Sequence, residues 1–155
     1  MNPTNTPYLR SLQMVHFALG MGMTSFLVIC FVLHGSGAWE SMPELSNIFI
    51  TFVPIVLVGG IVIGNWLYNK RLEGINQAAT VQQKLETYRT AFIIRLALHE
   101  GPTLLAIVAY LLTVNQWFLY MVLISLAGFV LLRPSADKIA TALSLSDSEV
   151  NTHLL

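Results

Sequence analysis

Charge is what this sequence has least of. Eight basic and eight acidic residues are spread over 155 positions, so 10% of the chain is charged and 55% is hydrophobic. A water-soluble domain carries roughly 25% charged residues. The shortage excludes a solvated surface over most of the chain and implies one facing lipid. Net charge is zero, with no basic arm and no acidic tail, so no nucleic-acid partner is expected. The single cysteine, Cys30, excludes an internal disulfide and a cysteine metal cluster. There is no phosphate-binding glycine loop, no nucleophile elbow and no paired carboxylate motif. Neither enzymatic chemistry nor a cofactor is therefore expected.

What is present is a series of apolar runs. They predict an all-α membrane protein, one domain of four transmembrane helices over about 12–33, 48–67, 91–113 and 117–132. Residues 1–9, with Pro3 and Pro7, read as a loose tail. The rival reading of the first run is a signal peptide, whose apolar core would be about 7–15 residues before a small-residue cleavage site. The run is longer and Gly35-Ser36-Gly37-Ala38 is a poor site, so a retained helix is preferred. Ser41-Met42-Pro43-Glu44 reads as a helix start with serine as N-cap. Pro54 should kink the second helix, because it removes one backbone hydrogen bond. Gly60 and Gly64 form a GxxxG pair, a face on which another helix can approach closely.

Residues 69–89 are the most polar stretch. Thr80 with Gln83 has the form of a capping box. Leu72 and Ile75 before it, and Val81, Leu85 and Tyr88 after it, keep helical spacing. Helices 2 and 3 are therefore expected to extend beyond the membrane as a hairpin, turning near 77–79, with a surface for a protein partner. After Arg133-Pro134 the tail, 134–155, should form a short amphipathic helix capped by Ser135, with Ile139 and Leu143 on one face. Ser146 and Glu149 signal a last capped turn. Such a tail suits either the membrane surface or solvent. Arg10, Lys70, Arg71, Lys84, Arg89, Arg133 and Lys138 all fall on one side of a four-span topology. The positive-inside rule makes that side cytoplasmic, with both termini on it. A bacterial inner membrane is the expected location.

The third apolar run carries the one conspicuous anomaly. Arg95, His99 and Glu100 lie inside it, with Gly101-Pro102 directly behind. An ionisable residue within a span is a functional hypothesis by default, since its cost is about 2.5 kcal/mol or more. Pro102 cannot donate to the carbonyl of Leu98, so the backbone is expected to be irregular beside the carboxylate. Two readings compete. In one, Arg95 and Glu100 join His16 or Asn65 in a buried polar network that fixes helix register. The spacing of five is poor for a direct Arg95–Glu100 pair. In the other, Glu100 is a protonatable site: apolar surroundings favour the neutral acid and a nearby Arg95 favours the carboxylate. A metal site from His16, His34, His99 and Glu100 is disfavoured, because no HxxxH or ExxH pair exists. A haem held by His16 and His99 is weaker still.

Residues 60–113 resemble the hairpin of the c subunit, or proteolipid, of rotary ATPases. Gly60-Ile61-Val62-Ile63-Gly64 is similar to part of that family's glycine repeat, and Leu72-Glu73-Gly74-Ile75 to the start of its polar loop. Arg89-Thr90, Ile94, Ala97-Leu98 and Glu100 follow its outer helix in order and spacing. The resemblance implies that Glu100 occupies the ion-carrying position. The chain departs from the pattern where the rest of the glycine repeat is missing, at Asn76-Gln77-Ala78 in the loop, and at Arg95, which replaces a small residue. Two further spans flank the hairpin. A working rotor subunit is therefore not implied. The sequence predicts a small membrane subunit with a protonatable Glu100, in proton translocation or coupling, assembled as a homo-oligomer or with other membrane subunits. The alternative is a non-catalytic assembly or scaffold subunit.

Overall fold

A computed structural model describes residues 8–76 and 78–154. The first seven residues, including Pro3 and Pro7, and Gln77, where a turn is expected, lie outside the described residues. Among the described residues six α-helices follow in order: α1 Tyr8–Gly35, α2 Ser46–Glu73, α3 Val81–Thr113, α4 Gln116–Leu131, α5 Ala136–Leu143 and α6 Asp147–His153. No strand occurs among the described residues. Three helices, α1, α2 and α3, are long and apolar enough to cross a membrane. A fourth span is counted if α4 and α5, bent by 71° at their junction, form one. Alone, the 16 residues of α4 reach about 24 Å, short of a hydrocarbon core of about 30 Å.

The bundle is built on α3. Of its most apolar window 39% is buried within the protein, against 11% for α2. Helices α1, α2 and α4 each pack on α3 and hardly on one another. Large apolar side chains coat the outside instead, among them Phe17, Ile55, Ile124 and Leu131, the last 77% exposed. An apolar coat of that extent is covered by lipid or by another chain, not by water.

Small residues let α2 and α3 approach. A Cβ built on Gly60 would meet the Leu98 carbonyl oxygen and lie 2.6 Å from Pro102 Cγ. One on Gly64 would lie 3.2 Å from Leu98 Cβ. The carbonyl that Pro102 deprives of its helical donor is that of Leu98, so the missing side chain of Gly60 makes room for the oxygen that Pro102 frees. The sequence predicts an irregular backbone at this turn and a kink at Pro54; the residues on both sides of Pro102 in α3, and of Pro54 in α2, are helical.

Local signals set the ends. Thr80 Oγ1 accepts from Gln83 N–H, and Gln83 Oε1 accepts from Thr80 N–H. Such a cap stabilises a helix by about 1 kcal/mol. Val81 follows it, and Leu85 and Tyr88 are buried in the core, the Tyr88 ring edge-on to Tyr68 of α2 at 5.9 Å. The Tyr8 hydroxyl donates to the Leu85 carbonyl at 2.6 Å, so α1 also runs alongside the hairpin. Ser41 caps nothing, contrary to expectation: Pro43–Leu45 is a 3-10 turn, and α2 starts at Ser46 without a side-chain cap. The physical reason is a distant claim on the neighbouring backbone. Met42 N–H donates to the Leu112 carbonyl at 2.6 Å, and Asn115 Nδ2 donates to Ser46 Oγ at 2.8 Å.

The C-terminal segment folds back against the bundle. Ser135 caps α5, and Ile139 and Leu143 are buried in the core that includes α3. After α6, Leu154 is fully buried as well. Gln13 Nε2 donates to the Pro134 carbonyl at 3.2 Å, which ties the start of this segment to α1.

Candidate functional site

In the apolar part of α3, Arg95 and His99 are four residues apart and lie about 40° from each other, while Glu100 is turned away from both. Successive helical residues lie about 100° apart, and each meets different surroundings.

His99 turns inward to α4 and is buried. Its Nε2 lies 3.0 Å from the Ser125 carbonyl oxygen and 3.0 Å from Ser125 Oγ. A carbonyl oxygen only accepts, so Nε2 carries the hydrogen. Ser125 Oγ then donates to Thr103 Oγ1 at 2.7 Å, and Thr103 Oγ1 donates to the His99 carbonyl at 2.7 Å. The ring closes with every hydrogen placed. A fully satisfied polar ring in low dielectric holds α3 and α4 in one register. Gly128 leaves room for the imidazole, 3.6 Å from where its Cβ would be.

His16 belongs to the same side of the bundle. Its Nε2 donates to the Phe129 carbonyl at 2.9 Å, and its ring stacks on Phe129 at 4.6 Å between centroids. His99 packs on the same phenyl ring, tilted, at 5.6 Å. Both imidazoles thus share Phe129 rather than an open space between them. His34 is far off at the other end, donating from Nε2 to the Leu111 carbonyl at 2.9 Å. Among the described residues no group of three metal-ligating side chains comes together.

Arg95 faces α2. Its Cζ lies 4.7 Å from the centre of the Tyr68 ring, and its Nε is buried with no hydrogen-bond partner. It lines a cavity of about 250 Å³ together with His99 and Asn65. So the structure gathers Arg95, His99 and Asn65 around one space, with His16 attached through Phe129.

Glu100 is outside that group, contrary to the expected network of Arg95 and Glu100 with His16 or Asn65. The physical reason is angular: helix geometry that aims Arg95 at α2 and His99 at α4 sends Glu100 elsewhere. It is half-buried and takes part in no side-chain hydrogen bond among the described residues. On its strip of α3, Ile93 and Ala97 are exposed, and Gly101 has open space where a side chain would project. This strip is covered by neither α2, which meets Leu98 and Pro102, nor α4, which meets His99 and Thr103.

Ser125, Thr103, Phe129 and Tyr68 complete the arrangement, and none is singled out by sequence motif. Ser125 offered one signal: it is the only serine or threonine in α4. Compared with protein-family models, curated proteins and solved structures, the chain matches none.

Proposed function

We propose that this chain is a small integral membrane subunit that binds and releases a proton at Glu100, where α3 meets a helix of a neighbouring subunit. In this reading α4 is the fourth span. The termini and the 69–89 hairpin are cytoplasmic, on the side of Lys70, Lys84, Arg133 and Lys138. One observation carries the reading: among the described residues Glu100 has no hydrogen-bond or ion-pair partner, and it lies on the exposed strip of α3 with Ile93, Ala97 and Gly101. An ionised carboxylate there is costly in hydrocarbon. Two things remove the cost, protonation or a polar group from another chain, and alternation between them is a proton-coupled contact. Arg95 does not intervene, because its guanidinium is turned to Tyr68. The resemblance of residues 60–113 to the proteolipid hairpin also assigns the ion-carrying place to Glu100. A second copy or another membrane subunit supplies the covering helix.

A hydrophobic carbodiimide reacts with protonated carboxyls in apolar surroundings and tests this directly. The expected result is selective modification of Glu100 near neutral pH, declining as pH rises, and none in Glu100→Gln. A Glu100 inert at every pH would refute the proton site.

A second reading, a non-catalytic assembly subunit, is supported by the use of His99 in a closed ring and of Arg95 against Tyr68. In that case the polar outer face of the hairpin, with Gln82, Glu86 and Arg89 exposed, is the partner surface. Under this reading Glu100→Gln keeps full function, and charge reversal at Glu86 and Arg89 releases the partner.

A further inference from the structure

The buried, unpartnered Nε of Arg95 sits at the junction of two spaces. Helices α2 and α4 both rest on α3. At one end they meet through Phe49 and Phe118, whose ring centres are 6.4 Å apart. Toward the other end they separate, leaving the 250 Å³ cavity between them. Leu57 and Ile61 of α2 and Ile124 of α4 wall it, so its inner part is apolar. A wider space of about 500 Å³ adjoins it, sharing Arg95 and Leu132, with Tyr68 on one side and Lys138 and Asp137 of α5 on the other.

This is a cleft with an apolar inner end and a cationic outer one. Arg95 is always protonated and offers five donors in a planar fork. Its Nε–H finds no acceptor among the described residues, and an unmet buried donor is costly. The Tyr68 ring holds the guanidinium by its face, which leaves its edge free for an anion. At the mouth Lys138 Nζ donates to the carbonyls of Leu131 and Arg133, each at 3.0 Å, and so fixes a second positive charge there. Asp137 is the one opposing charge. Two cations against one carboxylate favour a group with net negative charge. A basic pocket between helices at the cytoplasmic end of a bundle is suited to a lipid headgroup.

We infer that the α2–α4 cleft binds one anionic phospholipid, its phosphate on Arg95 and one acyl chain along Leu57, Ile61 and Ile124. The lipid is a fixed component of the bundle, filling the gap where α2 and α4 diverge. The site is separate from the uncovered strip that carries Glu100 and stands whether or not that residue exchanges protons.

The test uses the full-length chain in neutral detergent, with native mass spectrometry and thermal melting. Phosphatidylglycerol, phosphatidylcholine and inorganic phosphate are the probes. One phosphatidylglycerol per chain should bind about tenfold or more tighter than phosphatidylcholine, and raise the melting temperature. Arg95→Gln should remove that preference, since a charge-assisted hydrogen bond contributes about a tenfold factor or more. Ile124→Trp, at a position 73% exposed, should weaken phosphatidylglycerol binding by filling the acyl end while leaving the guanidinium in place. Equal affinity for both lipids, or unchanged phosphatidylglycerol binding in Ile124→Trp, would overturn the inference even if Arg95→Gln does not fold. Inorganic phosphate stabilising the protein as much as the lipid would also overturn it, making the ligand a free anion.

Discussion

His99 and Glu100 are adjacent in sequence and opposite in circumstance. His99 is buried, and its imidazole, its carbonyl, a serine and a threonine exchange hydrogen bonds in a closed ring. Glu100 is half-exposed, with no partner among the described residues. The same contrast runs along the whole helix: one side of α3 is crowded to the limit of contact, the other is open. A polar group on the crowded side explains itself by what it holds together. One on the open side is explained only by something outside the chain.

The comparison breaks most violently at the glycines. Gly60→Leu would drive a side chain into the Leu98 carbonyl and Pro102, and overpacking of this kind costs about 3 kcal/mol or more. Gly101→Leu, on the open side, should cost under about 1 kcal/mol, chiefly through altered helix propensity. Thermal melting of both variants in detergent measures the difference, and equal losses would mean that the two sides of α3 are alike. Next comes His99→Ala. It unseats Ser125 and Thr103 and leaves a gap beside Gly128 and Phe129, for an expected loss of about 2 kcal/mol. Glu100→Gln should change stability by less than about 0.5 kcal/mol while abolishing carbodiimide labelling. A loss as large as that of His99→Ala would show that Glu100 has a structural partner. The smallest effect lies in α6. Hydrogen bonds from the Ser146 backbone N–H and hydroxyl hold the Glu149 carboxyl below its ordinary value of 4.5. A folded value below the unfolded one adds stability above the unfolded value and loses it as pH falls through the folded one. Protection against hydrogen exchange over 147–154, taken relative to the intrinsic rate at each pH, should therefore fall on acidification below about pH 4.5, and Glu149→Gln should flatten that dependence.

What the sequence made legible was local. Thr80 with Gln83, Ser135, and Ser146 with Glu149 announce caps because donor and acceptor are three residues apart. Ser41 carries the same signature and misleads, because Met42, tied to Leu112 seventy residues away, is held out of helical geometry and the first turn begins only at Pro43. The apolar stripe of Ile139 and Leu143 was readable as a stripe. Its destination was not, since lipid and protein accept the same pattern. The placement of Ser125 opposite His99 depends on which face of α4 meets α3, and apolar side chains surround α4 on all sides. Helical geometry does show that Glu100 is turned away from the face shared by Arg95 and His99, but only the packed neighbours decide which side is left open.

The Gly60–Leu98–Pro102 contact also governs how the molecule can move. A slide of one helical turn in one direction would bring Val56 to the Leu98 carbonyl; in the other it would bring Tyr68 to where Gly64 now admits Leu98 Cβ. Neither side chain fits the space a glycine leaves. The two helices are thus a ratchet with a single tooth, and α2 and α3 travel as one strut. Any rearrangement that a proton or a partner sets off has to be taken up by α1 and α4 shifting around that strut.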